Sequence, residues 1–199
     1  MAINLEPSVR RSVVEATAAL RDAAPSLNWV DETRLHLTLK FIGEATDDAA
    51  RAIAGAIGDV AKNHELFGIH ICEVGAFPNF RRARVVWMGI DREPRLELLH
   101  HDVEVACERL GFEVEGRPFR PHLTLARVRQ FGKRKTDVEE LRRLSRASKR
   151  VVFEADSTVQ SIDLMRSWSK GAGEKTEGDD ATGAPKHYER LFAAPLRSA

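Results

Sequence analysis

Residues 34–42 read Arg-Leu-His-Leu-Thr-Leu-Lys-Phe-Ile, and residues 120–127 read Arg-Pro-His-Leu-Thr-Leu-Ala-Arg. Their shared core, His36-Leu37-Thr38-Leu39, returns as His122-Leu123-Thr124-Leu125, 86 residues further on. An identical tetrapeptide in two alternating stretches, each preceded by a helix-plus-loop segment, marks a duplicated unit. Polar and apolar residues alternate with period two, so both stretches read as strands. Side chains at i and i+2 share a face of a strand. His36 and Thr38 therefore point one way, and Leu35, Leu37 and Leu39 the other. His122 and Thr124 are set against Leu123 and Leu125 in the same manner. The leucines can pack under helices, which leaves the His and Thr side chains on an open face. A pseudo-two-fold between the strands would bring two imidazoles and two hydroxyls into one cleft.

Working outward, the spacing predicts a strand at Ile3–Leu5 and a helix from Pro7 through Val9, Val13, Ala16 and Leu20. The first motif strand is expected over 34–42, then a helix capped by Thr46 or Asp47 and running through Ile53, Ile57 and Val60. Two strands over 67–74 and 84–90 come next, then a helix over 93–110 with Leu96, Leu99, Val103, Cys107 and Leu110 on one stripe. The second motif strand covers 122–128, a basic helix 136–148, and closing strands 151–153, 159–165 and 188–193. Amphipathic strands alternating with helices indicate an α+β fold. The expected form is a bilobal pseudo-two-fold duplication, with an antiparallel-rich sheet in each lobe, helices on the outer faces and the active cleft between lobes. Residues 1–199 form one domain with two lobes, and 169–186, rich in Gly, Glu and Asp, reads as a mobile loop.

Composition narrows the class. With 43% hydrophobic and 31% charged residues, 199 residues suffice for a packed core and fit a soluble protein. Cys72 and Cys107 form no Cys-x-x-Cys pair and read as reduced, buried thiols. No apolar run approaches the ~20 residues of a membrane span, and the N-terminal sequence does not resemble a signal peptide. A cytoplasmic monomer with no membrane partner is expected. A formal charge of +1 first argues against a nucleic-acid partner, but the sum hides a division. Residues 117–150 hold 12 basic and 3 acidic side chains, a net of +9, and the remainder carries −8. A polyanion would be drawn to the side that carries the second motif; a solvated basic helix face is the plainer alternative.

Paired histidines with pKa values near ~6.5 can hold one member neutral and one protonated. One can then take a proton from water while the other gives one to a leaving oxygen. Threonine hydroxyls can hold phosphoryl oxygens. The chain has no His-Glu-x-x-His and no Cys-rich ligand set, so a metal is not required. Metal-free phosphoester cleavage suits a strained substrate such as a cyclic phosphate of ribose. Arg120 and Arg127 are candidates for phosphate neutralisation. Arg127 lies five residues past His122, on the wrong face of an ideal strand, and would need a twist or bulge after Ala126. Arg120 shares the face of His122 if the strand extends back past Pro121. Phe77, in a Gly-Ala-Phe-Pro turn, is a candidate for stacking on a base. By parity Phe41 is assigned to the core, as are Trp29 and Trp87. His64, His70, His100, His101 and His187 have no partner pattern.

These motifs resemble the two-histidine phosphoesterase superfamily and, within it, the RNA 2′,3′-cyclic phosphodiesterases, also called 2′-5′ RNA ligases. Further matching stretches are Leu35 to Gly43, Gly75 to Pro78, Arg84 to Gly89 and Arg117 to Arg127. The likeness spans most of residues 2–196. It departs at a first strand set very close to the start and at the long polar stretch 169–186. The resemblance implies a bilobal α+β fold and metal- and cofactor-independent hydrolysis of RNA 2′,3′-cyclic phosphate ends to 2′-phosphates, with reversible 2′-5′ ligation in some members. RNA ends or cyclic nucleotides are the implied partners. His36 would act as general acid and His122 as general base, with Thr38 and Thr124 on the phosphoryl oxygens. Two alternatives share the motifs: a module that binds RNA ends or nucleotides without chemistry, and a phosphodiesterase for another cyclic or 2′-5′ nucleotide.

Overall fold

The computed structural model describes residues 1–128, 135–168 and 187–198. The segment 169–186, expected to be a mobile loop, lies outside the described residues. The elements in chain order are β1 (Ala2–Asn4), α1 (Pro7–Ala16), α2 (Ala18–Ala23), β2 (Asn28–Trp29), β3 (His36–Thr38) and α3 (Asp47–Ala61). They continue with β4 (Phe67–Phe77), β5 (Val85–Ile90), α4 (Pro94–Arg109), β6 (His122–Arg127), α5 (Lys135–Ser148), β7 (Glu154–Val159), β8 (Ser161–Trp168) and β9 (His187–Pro195).

Local chemistry explains most of the boundaries. Pro7 opens α1 at a position where its missing N–H costs nothing. The Thr17 hydroxyl donates to the Val13 carbonyl at 2.7 Å, a back-bond that divides the expected single helix into α1 and α2. Thr46 caps α3 by accepting from the Ala49 N–H, and Glu93 caps α4 by accepting from the Arg95 N–H. The first motif strand is shorter than its alternation suggests. Past Thr38, the N–H groups of Leu39 and Lys40 both turn to the Met1 carbonyl. Lys40 is then buried, its Nζ 2.7 Å from Glu104 Oε2 and 2.7 Å from the Glu113 carbonyl. That pair ties the exit of β3 to α4. Residues 151–153 are not strand; Val152 is almost fully exposed.

The strands form one antiparallel sheet ordered β7-β4-β5-β6-β3-β1-β8-β9, with β2 paired to β6 off this path. The two sheets expected from the duplication are thus joined, and the order falls into two four-strand halves at the β6–β3 junction. That junction is a single backbone pair, Leu37 with Leu123. The duplication is visible in the register. β1 pairs β3 as Asn4–His36, Ile3–Leu37 and Ala2–Thr38. β5 pairs β6 as Gly89–His122, Met88–Leu123 and Trp87–Thr124. In each half a strand-helix-strand unit delivers the motif histidine to the first residue of its second strand.

One face of the sheet carries the core. Leu35, Leu37, Leu39, Leu123, Leu125, Ile3 and Met88 are buried with Ile53 and Ile57 of α3 and Leu96, Leu99 and Val103 of α4. Burial of each such side chain is worth about 1.5–3 kcal/mol, so the leucines of the motifs fix which face remains open. α5 packs on α2 and on the short 3-10 turn Phe80–Arg82, burying Leu141 and Leu144.

Candidate functional site

His36, Thr38, His122 and Thr124 are all half-buried on the open face, as strand parity requires. Stepping one residue each way from the antiparallel Leu37–Leu123 pair sets His36 opposite Thr124 and Thr38 opposite His122. Each imidazole thus faces the hydroxyl of the other motif across the seam. The two rings are also anchored alike. His36 Nδ1 lies 2.8 Å from the Arg34 carbonyl, and His122 Nδ1 lies 2.7 Å from the Arg120 carbonyl. A carbonyl only accepts, so both Nδ1 atoms carry hydrogen and, in the neutral ring, Nε2 is the basic nitrogen. Burial lowers both imidazole pKa values from the ordinary histidine range, partly opposed by these carbonyl bonds, and the Arg127 guanidinium lowers both further.

Arg127 reaches the open face by a bulge. Opposite β5, Val86 pairs with Ala126 and Trp87 with Thr124, so Leu125 is an extra residue. Leu125 and Ala126 are both buried, and the parity restarts one residue earlier than the sequence suggested. Arg127 then pairs with Val85 and shares the face of Trp87 and Thr124. Arg120 is exposed and lines a hollow of about 300 Å³ beside His122, together with Phe77, Trp87, Phe119 and Cys72.

Phe77 is the last residue of β4 rather than part of a turn, and a cis bond to Pro78 follows it. Its ring meets His122 edge-on at 5.2 Å between centroids and lies 5.1 Å from Trp87. Trp87, expected in the core, is half-buried on the open face, with its ring 6.5 Å from that of His122. Gly75 and Gly89 make room for the indole. A Cβ on Gly75 would come within 2.1 Å of Trp87 Cζ2, and one on Gly89 within 3.1 Å of Cζ3. The Trp87 Nε1–H is buried with no acceptor among the described residues, an orphan donor of the kind that a ligand oxygen can satisfy.

The His36 side is built differently. A hollow of about 560 Å³ is lined by His36, Thr38, Phe41, Tyr188 and Leu191. Phe41 is 72% exposed, which overturns its assignment to the core: β3 has ended, so parity no longer applies. Tyr188 stands 5.7 Å from His36 between ring centroids. Its place 152 positions along the chain gave no sequence signal. Trp29 does pack against the core, its Nε1 donating to the Ala24 carbonyl at 2.8 Å. Cys107 is buried and Cys72 half-exposed, so only the first of the two thiols lies where expected.

Two short strands that lay a His and a Thr from each half on one open surface define the two-histidine phosphoesterase class. The family profile described as the 2′-5′ RNA ligase superfamily matches residues 5–170. The chain belongs to that superfamily. An RNA 2′,3′-cyclic phosphodiesterase of Geobacillus stearothermophilus is 32% identical over 199 residues, 100% of this chain and 57% of that protein, so this chain spans little more than half of that relative. One of Methanothermobacter thermautotrophicus is 33% identical over 129 residues, 65% of this chain and 70% of that protein. Among solved structures, the TT0787 protein of Thermus thermophilus superposes with a TM-score of 0.74 at 25% identity, covering 99% of this chain and 96% of that one. LigT of E. coli complexed with 3′-AMP shares the fold, with a TM-score of 0.67 at 23% identity over 98% of this chain and 95% of that one. Among the described residues, no helix is long and apolar enough to cross a membrane.

Proposed function

We propose that this protein hydrolyses RNA 2′,3′-cyclic phosphate ends to 2′-phosphates by acid–base catalysis from its two histidines, without a metal in the reaction. The observation that carries the reading is the matched anchoring of His36 and His122, each with Nδ1–H on the carbonyl two residues earlier, which makes Nε2 the basic nitrogen of both rings. His122 Nε2 takes a proton from water as the water oxygen attacks phosphorus. His36 Nε2–H protonates the departing 3′ oxygen, leaving a 3′-hydroxyl and a 2′-phosphate. Thr38 and Thr124 donate to the non-bridging oxygens as charge builds, and Arg127 neutralises it. Arg120 holds an upstream phosphate, and Phe77 takes a base against its ring. The related curated proteins named RNA 2′,3′-cyclic phosphodiesterase support the choice of substrate. With an RNA 5′-hydroxyl in place of water as nucleophile, the same groups open the cyclic phosphate to a 2′-5′ bond: the 5′ oxygen gives its proton to His122 and bonds to phosphorus as the 3′ oxygen leaves with a proton from His36. One chain supplies both motifs, so a monomer of two lobes, residues 1–199, suffices.

The test is a panel of 2′,3′-cyclic, 3′,5′-cyclic and 2′-5′-linked nucleotides, with the phosphate position in the product read by phosphorus NMR. A 2′-phosphate from the 2′,3′-cyclic substrate, formed also in EDTA, is expected. His36→Ala and His122→Ala should each lower kcat by about 10²–10⁴. Wild-type turnover by His122→Ala, or binding with no product over hours, overturns the reading.

A further inference from the structure

The wall of the hollow beside His122 carries a second cluster that the proposed reaction does not use. His70 and Cys72 alternate along β4 on its open side, because Ile69 and Ile71 face the core. Asp91 follows β5 and donates its backbone N–H to the His70 carbonyl at 2.9 Å. A ring nitrogen of His70, Sγ of Cys72 and a carboxylate oxygen of Asp91 all lie within 4.8 Å of one another. The Cys72 thiol already donates to Asp91 Oδ1 at 3.1 Å. Behind them, Asp156 Oδ1 accepts from His70 Nδ1 at 2.9 Å and holds the ring. Glu154 stands opposite Cys72 in register on β7 and adds a carboxylate to the same face.

We propose that His70, Cys72 and Asp91 bind one divalent transition-metal ion of the zinc class. Imidazole, thiolate and carboxylate together suit such an ion, whereas magnesium and calcium take oxygen donors alone. Tetrahedral bonds of about 2.0–2.3 Å place donor atoms about 3.3–3.8 Å apart. The widest pair, at up to 4.8 Å, therefore has to close by about 1 Å, and His70 and Cys72 are half-exposed and Asp91 exposed. Coordination replaces the Cys72 S–H bond with a metal–sulfur bond and releases that proton to solvent. The Asp156 carboxylate behind His70 repeats the arrangement that orients metal-bound imidazoles. The fourth position stays open to water or Glu154. Cys72 and Asp91 line the same hollow as His122, where Glu97 and Glu93 are paired with Arg92 and Arg95 and Glu73 stands next to Cys72 in the chain. The ion takes no part in the proton transfers.

Cobalt(II) titrated into the chelator-treated full chain should give a sulfur-to-cobalt charge-transfer band in the near ultraviolet that saturates at one equivalent and is displaced by zinc(II). Cys72→Ser should abolish the band. His70→Asn and Asp91→Asn should each weaken binding about tenfold or more, and Asp156→Asn, which removes only the ring's support, about tenfold. His122→Asn should leave the band intact, which separates this cluster from the histidine pair. Circular dichroism of each variant controls for folding. No band with the wild-type chain at millimolar cobalt, or a band that survives Cys72→Ser, overturns the proposal whatever the outcome of the phosphodiesterase assays.

Discussion

His36 and His122 each commit one ring nitrogen to a backbone carbonyl and keep the other for the cleft. Their ionisation then decides the pH range of the proposed reaction, which needs one ring neutral and one protonated. Burial lowers both pKa values and the Arg127 guanidinium lowers them further. The singly protonated pair is thus most populated on the acid side of ~6.5. A bell-shaped kcat/KM profile centred below that value is expected. The kcat profile should lie higher, because the bound phosphate anion favours the imidazolium. Stability follows the same sign. A histidine with a depressed folded pKa contributes fully above ~6.5 and loses that contribution as pH falls through its folded value. Melting temperature should therefore fall below ~6.5, less steeply in a His36→Gln/His122→Gln double variant. A kcat/KM optimum well above 7 would contradict the buried setting of the pair.

At the scale of the elements, the glycines of β4 and β5 matter more than their size suggests. Gly75 exists where the Trp87 indole lies against the backbone, and a Cβ there would come within 2.1 Å of the ring. Gly75→Ala should expel the indole from under Phe77 and His122. Phe77, the proposed platform for the base, then loses the ring it packs against, and stacking of a base on an aromatic ring is worth about 1–3 kcal/mol. KM for a cyclic mononucleotide should therefore rise roughly 5- to 150-fold by the same measure, with a smaller change in kcat; an unchanged KM would remove Trp87 from the site. Trp87→Phe is the companion variant, since it keeps a ring but loses the buried Nε1–H. The same elements mark where sequence reading succeeds and stops. Period-two alternation exposed His36, Thr38, His122 and Thr124, because a side chain's face is local information. It misplaced Phe41 because β3 stops at Thr38, where Lys40 turns inward to Glu104. It placed the parity break before Arg127 one residue late, because the bulge at Leu125 is a backbone event set by pairing with β5. Trp87 looked like core because the room for its indole is made by Gly75 on another strand. Tyr188 was invisible because only the fold brings β9 near His36.

For the whole molecule, the charge division read from the sequence gains a shape. The exposed Arg142, Arg143 and Arg146 lie on α5, and α5 packs on the turn that carries Arg81 and Arg82. Arg84, just before β5, and Arg127, on the face of Trp87 and Thr124, are exposed as well; Arg81, Arg82 and Arg84 fall outside the basic stretch noted in the sequence. A ten-nucleotide RNA with a cyclic phosphate end should bind with a log–log salt slope of about −0.7 per phosphate contacted. A cyclic mononucleotide should show a much flatter dependence. Arg81→Glu/Arg82→Glu should flatten the RNA slope by one to two contacts' worth and leave the mononucleotide kcat unchanged. Equal slopes for both ligands would mean that the basic edge does not guide RNA. Across the seam, the two halves present the same histidine and the same threonine, crossed over one backbone pair. What stands behind each threonine is not the same: Ala2 pairs with Thr38, and Trp87 pairs with Thr124. A site whose proton-handling groups are interchangeable has no inherent sense of left and right. In the proposed reaction, regiochemistry, the choice of which ribose oxygen keeps the phosphate, then belongs to what differs around the pair, Ala2 against Trp87 and Tyr188 against Phe77.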